Sequence, residues 1–189
     1  MSQNKKIDSL KIELQNHKEK DTVRVKILNL LAFNHYRNDP PQSLAYVEEA
    51  LKLADDIKSV KGKARSFYLK GVIYTEQANF KVAIDNFEKA IQLYNSLDDL
   101  EGIGKCKNAL GVLNYYKGNF KIALSYYEEA LAIKEELGIK KGVNGILYNI
   151  GNIYSYMGDY QKALINFEKV LSVNRKSNDA HGILNCLNS

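Results

Sequence analysis

The chain has 189 residues, with 27 Lys and Arg against 22 Asp and Glu, giving a formal charge of +5. Apolar residues make up 45% and charged residues 26%, ordinary values for a soluble chain. The longest uncharged stretch, Gly142 to Gly158, is broken by Asn144, Asn149, Asn152 and Ser155 and does not read as a membrane span, and MSQNKKIDSL lacks the apolar run of a secretory signal. A cytoplasmic protein is expected.

In residues 1–20, Ile7, Leu10 and Leu14 follow one another at helical spacing and predict a helix. Residues 21–60 predict two: Ile27, Leu30, Leu31 and Asn34 on a first helix, a turn at Asn38-Asp39-Pro40-Pro41, then Leu44, Val47, Ala50 and Leu51 on a second. Proline suits that place because the first-turn amides of a helix lack internal partners. Residues 61–100, 101–140 and 141–180 repeat the plan, and 181–189 match the opening of a further unit.

The repeats keep a strict period of forty, with Gly62, Gly102, Gly142 and Gly182 in one column and Gly71, Gly111 and Gly151 in another. Ser43, Ala83, Ala123 and Ala163 form a small-residue column, and Val47, Phe87, Tyr127 and Phe167 a large one. On the same count Ile7 and Leu10 fall in the columns of Val47 and Ala50, so residues 1–20 read as the second helix of an incomplete leading unit that caps the stack. Repeats without insertions bury a core along one dimension, so one all-α domain is expected, an α-α superhelix of antiparallel helix pairs.

Cys106 and Cys186 occupy one repeat position two repeats apart, too far for a disulfide, and are expected to be free thiols. His17, His35 and His181 are dispersed, no Cys or His pair has metal spacing, and the glycines recur at the repeat period rather than forming a phosphate loop. No cofactor, metal or catalytic activity is expected.

Gly71, Tyr74, Phe80, Ala83, Phe87 and Ala90 form a set that returns as Gly111, Gly118, Phe120, Ala123, Tyr127 and Ala130, and again as Gly151, Tyr154, Gly158, Tyr160, Ala163 and Phe167. This set resembles the tetratricopeptide repeat, and the likeness covers nearly the whole chain. The usual period there is thirty-four; forty is similar to the longer-helix variety of kinesin light chains, polarity adaptors and bacterial peptide receptors or sensor kinases. Lys70 and Lys107 stand where that family often has apolar residues.

The resemblance implies that the first helices line a binding groove. They carry Arg24, Lys26, Arg37, Arg65, Lys70, Lys105, Lys107 and Lys117 against few acids, which implies a basic groove for a protein or peptide that is acidic or offers a free C-terminus. Asn29 and Asn149 fill the slot where related repeats hold a peptide backbone, with Asn152 one turn on and Asn108 one position off. An amide both donates and accepts, so it pairs with a peptide group whatever the side chain. Tyr36, Tyr116 and Tyr156 form a column near the ends of first helices, and Tyr68 and Tyr148 another near their starts; tyrosine gives contact area at small entropy cost.

The clamp by which some relatives grip chaperone tails is not reproduced: only Lys105 matches, while Leu28, Ala32, Leu69 and Ala109 stand at the other positions. The leading reading is therefore a peptide-binding scaffold, the recognition part of a larger bacterial signalling or regulatory protein. Nucleic-acid binding through basic first helices ranks below it because the excess charge is small and not clustered. Self-assembly through the open C-terminal end is the third reading.

Overall fold

Short polar turns alternate with amphipathic stretches of about four turns, and every such stretch is helical. The computed structural model describes residues 3–176, in the order α1 (Gln3–Asn16), α2 (Thr22–His35), α3 (Pro40–Asp56), α4 (Val60–Glu76), α5 (Phe80–Asn95), α6 (Leu100–Tyr116), α7 (Phe120–Glu136), α8 (Val143–Tyr156) and α9 (Tyr160–Lys176). The expected opening of a fifth repeat at 181–189, with Cys186, lies outside the described residues. Every element among the described residues is a helix, in the antiparallel pairs of the α-α superhelix class, and none of these helices is long and apolar enough to cross a membrane. The chain divides into two compact units, Met1–Cys106 and Lys107–Ser189, with the boundary inside α6.

In the first unit α2 packs on α3 and α4 on α5, while α3 meets α4 and α2 touches α4. Helix α1 packs on α2 through Leu10, which lies with Ile27 and Leu31 in one buried cluster. Arg24 fastens that joint: its guanidinium donates to the Leu14 and His17 carbonyls at 3.1 and 2.7 Å and pairs with Glu49 at 3.2 Å. In the second unit α7 meets α8, and α8 packs on α9. Its core joins Ala123, Leu124, Tyr127 and Ala130 to Ile146, Ile150 and Ile153.

Within each of the three repeats after residue 60 the first helix approaches the second where a glycine faces an aromatic ring. A Cβ on Gly71, Gly111 or Gly151 would come within 2.6 Å of Phe87, Tyr127 or Phe167 respectively. The glycine and aromatic columns are thus two sides of one contact. Phe87 and Tyr127 are fully buried, and Ala83, Ala90, Ala123 and Ala130 let the helices close around them.

Turns repeat as well. Ala78, Gly118 and Gly158 are left-handed, with φ of 56°, 73° and 79°, and each is followed by an amide that bonds back to the preceding helix, as Asn79 N does to the Tyr74 carbonyl at 2.9 Å. Lys58, Asp98 and Gly138 do the same between repeats. An L-residue pays about 1 kcal/mol there that glycine avoids. Ala78→Gly is therefore expected to stabilise the chain by about 0.5–1 kcal/mol, after allowing for glycine's looser unfolded state; a urea midpoint that falls would contradict this.

One element starts late. Ser59 Oγ accepts from Gly62 N at 3.2 Å and Asp99 Oδ1 from Gly102 N at 2.8 Å, capping α4 and α6. Forty residues on stands Ile139, which has no side-chain acceptor, and α8 begins only at Val143, after Gly142 in a left-handed conformation (φ 84°).

Candidate functional site

In the first unit the starts of α2, α4 and α6 surround a pocket of about 660 Å³, with Tyr94 of α5 in its wall. First-turn amides have no partners inside their own helix, so each start is electropositive. Asp21, Ser59 and Asp99 each cap part of that need. Burial would raise the Asp99 carboxyl, but the Gly102 N–H and the Lys61 ammonium, 3.2 Å away, hold it below the usual carboxylate range.

Four cations line this pocket, Lys26, Lys61, Arg65 and Lys105, against Asp99 and Glu101. Lys61 pairs with Asp99, and Lys105 with Glu101 at 2.6 Å. Among the described residues neither Lys26 nor Arg65 has a carboxylate partner; Arg65 lies over the Tyr68 ring, 5.1 Å from its centre. Asn29 is only 4% exposed, and its Oδ1 accepts from Ser66 Oγ at 3.0 Å.

Other first-helix cations turn away from such a role. Lys70 pairs with Glu48 at 2.5 Å, and Lys107 with Glu129 at 2.6 Å while lying over the Tyr126 ring. These lysines fill apolar slots with their stems and place their heads on second-helix glutamates. Arg37 pairs with Glu76 at 3.5 Å, and Arg24 holds the α1–α2 joint. The basic set of the first unit narrows to the pocket.

Tyr36 stacks on Phe33 with ring centres 5.6 Å apart, under Arg37. Tyr68 is half-buried against Phe87, and burial raises its phenol above the ordinary value. Cys106 is a free, fully buried thiol, pushed up to about 12 by burial. It is expected to resist thiol reagents in the folded chain and to label at the unfolding rate; immediate labelling would contradict its burial. Because unfolding releases the thiol to its ordinary value of 9.0, its contribution to stability falls as pH rises from about 9 towards 12.

The second unit gathers a different set. Tyr116 is 52% and Tyr156 68% exposed. Tyr156 stacks on Phe120 at 5.7 Å and an interplanar angle of 12°, with Tyr115 6.0 Å away. Burial and a hydrogen bond with Tyr156 push the Tyr115 phenol up to about 12. Asn149 is half-buried and hydrogen-bonds the Tyr127 phenol, so it supports the core. Asn152 is half-buried, and Tyr148 is half-buried against Phe167, 5.7 Å between ring centres. Asn108 is half-buried, with its Oδ1 buried and without a partner among the described residues.

Of the residues lining this pocket the sequence reading names Asn29, Arg65 and Lys105; it does not name Lys61 or Tyr94. The signal present was the pairing of the Gly62/Gly102 and Arg65/Lys105 columns, which set bare backbone beside a cation in successive helices.

A tetratricopeptide repeat model matches residues 62–136, and a second matches 146–177. No curated protein matches the chain. Among solved structures it is similar to aspartyl phosphate phosphatase F from Bacillus subtilis, at 16% identity and a TM-score of 0.78, covering 86% of this chain and 43% of that one. It is also similar to a Rap protein complexed with competence and sporulation factor, at 17% identity and 0.82, covering 96% and 57%. Kinesin-light-chain-type TPR-like repeats from Podosopora anserina align at 14% identity and 0.66, covering 86% and 82%. At these identities the likeness is one of fold, and the chain spans less than half of the phosphatase F chain. Two matched repeat models, helix pairs that return every forty residues and neighbours built the same way lead to one assignment: the chain belongs to the tetratricopeptide repeat family, a family of protein-interaction scaffolds.

Proposed function

We propose that the chain binds an extended peptide or protein segment along its first helices, without catalysing a reaction, as the recognition part of a larger bacterial signalling or regulatory protein. The observation that carries this reading is the exposure of Tyr116 and Tyr156 at one recurring slot, 52% and 68%, where neither ring is needed to close the core. Large rigid rings left accessible, with Asn152 one helical turn before Tyr156 on α8, suit a segment whose backbone is held by amide contacts and whose side chains lie on aromatic faces. The Rap neighbour, solved with competence and sporulation factor, lends support by analogy. Residues 21–60, 61–100, 101–140 and 141–180 act as four repeats in this proposal, with 1–20 as the leading cap. Asn29, Tyr36, Arg65, Tyr68, Lys105, Asn108, Tyr148 and Asn149 then supply secondary contacts or support.

Affinity capture from source lysate, run beside a Tyr116→Ala/Asn152→Ala/Tyr156→Ala variant, tests the reading. A partner held by the parent and lost by a variant of unchanged helicity supports it. Recovery of the same partners by both moves binding off these helices.

A further inference from the structure

The joint between α1 and α2 carries a histidine that the peptide reading does not use. We propose that His35 makes α1 an acid-releasable cap: a proton on its ring loosens the leading part of α1 from α2, while Arg24 keeps the trailing end attached. The device lies wholly in the first unit and is independent of the tyrosines of α6 and α8.

Its placement follows from spacing. Ile27, Leu31 and His35 stand four residues apart on α2, on one face of the helix, and Ile27 and Leu31 pack with Leu10 of α1. His35 therefore ends the stripe that receives α1. Its ring centre lies 5.7 Å from that of Tyr46, which packs against the same cluster from α3. The His35 side chain is half-buried, and its Nε2 is buried with no hydrogen-bond partner among the described residues. A neutral ring can leave that nitrogen as a bare acceptor, but the cation carries a proton on both nitrogens. Acid thus sets an N–H without an acceptor into the joint, a cost that lifting α1 removes by admitting water.

The facing charges set the direction. Lys11 faces the ring from α1 and opposes a second cation; Asp39, at the start of α3, offsets part of this, and Tyr46 is neutral, its phenol raised above the ordinary value by burial. Burial has the largest influence on His35 and Lys11 the next, and together they hold the imidazole below its ordinary value of 6.5 in spite of Asp39. Release of α1 moves it back toward that value, so docking has its full strength above 6.5 and weakens as pH falls below it. His17, at the other end of the joint, works the opposite way. Its ring bonds Asp21 Oδ1 at 2.8 Å and faces Glu19 at 3.4 Å, so a proton there tightens the turn that Arg24 also pins. One end of α1 loosens in acid, and the other holds.

The test is hydrogen exchange of the whole chain at about pH 7.5 and about pH 5, resolved by residue and corrected for the pH dependence of the exchange chemistry. Protection of the α1 amides from Ile7 to Leu14 should fall in acid, while that of α5 holds. His35→Phe keeps a ring against Tyr46 but takes no proton, and it should abolish the loss. His35→Gln should do the same and serves if the phenylalanine chain does not fold, whereas His17→Gln should leave the loss in place. NMR titration of the ring protons should put the His35 midpoint below 6.5. Equal protection of α1 at both pH values, a loss that persists in a folded His35 variant, a loss of the same size in α5, a loss abolished by His17→Gln, or a His35 midpoint at or above 6.5 would overturn the proposal; none of these bears on the Tyr116 and Tyr156 test.

Discussion

Gly71→Ala should destabilise the chain by about 1–3 kcal/mol, the usual range for overpacking a closed core. In an open helical site the same change stabilises by about 1 kcal/mol, because alanine is the better helix former. The clash wins here because the added Cβ would sit 2.6 Å from Phe87 Cε1 and 2.7 Å from Cδ1, and the ring is fully buried with nowhere to retreat. Gly145, inside α8 with nothing within 4 Å of its Cβ position, provides the control of opposite sign. Urea unfolding of both variants checks the pair: a lowered midpoint for Gly71→Ala and a raised one for Gly145→Ala. Stabilisation by both would mean that the glycine column is not a packing contact.

Phe87→Ala carries the larger loss, about 3–5 kcal/mol, since it removes the ring and leaves a cavity between rigid helices. Placed in the Gly71→Ala background, the new methyl moves into that cavity, and the double variant should be more stable than the sum of the two single losses predicts. Contacting residues couple by about 0.5–3 kcal/mol in such cycles. Simple additivity would contradict the glycine-aromatic contact. Tyr127 and Gly111 should behave alike, with the added feature that the buried Tyr127 phenol also loses its bond with Asn149.

The fold was legible because the information repeats. Any one helix of this chain has a modest apolar stripe, but Gly71, Gly111 and Gly151 in register with Phe87, Tyr127 and Phe167 leave little freedom about which helix pairs with which. The late start of α8 was not anticipated, because the glycine column continues through Gly142 while the capping column does not: Ser59 and Asp99 give way to Ile139. Capping depends on one oxygen, and a residue count does not weigh it.

The candidate binding surfaces were legible only in part. Tyr116 and Tyr156 end α6 and α8, and their exposure follows from that slot. For cations, a slot does not fix a partner. Lys70 and Arg65 are five residues apart on α4, yet one reaches Glu48 and the other lies over Tyr68. Glu48 comes from α3, and only the packing of α3 against α4 brings it within reach. Tyr94 enters the pocket wall from a second helix for the same reason, which no first-helix column could show.

The central claim is that the first-helix faces recognise an extended peptide. The most direct measurement is titration calorimetry of a peptide selected by display against the whole chain, repeated on the Tyr116→Ala/Asn152→Ala/Tyr156→Ala variant at matched helicity and melting temperature. A weakening of tenfold or more, about 1.4 kcal/mol, is the expected result. Equal affinity for parent and folded variant would contradict the claim.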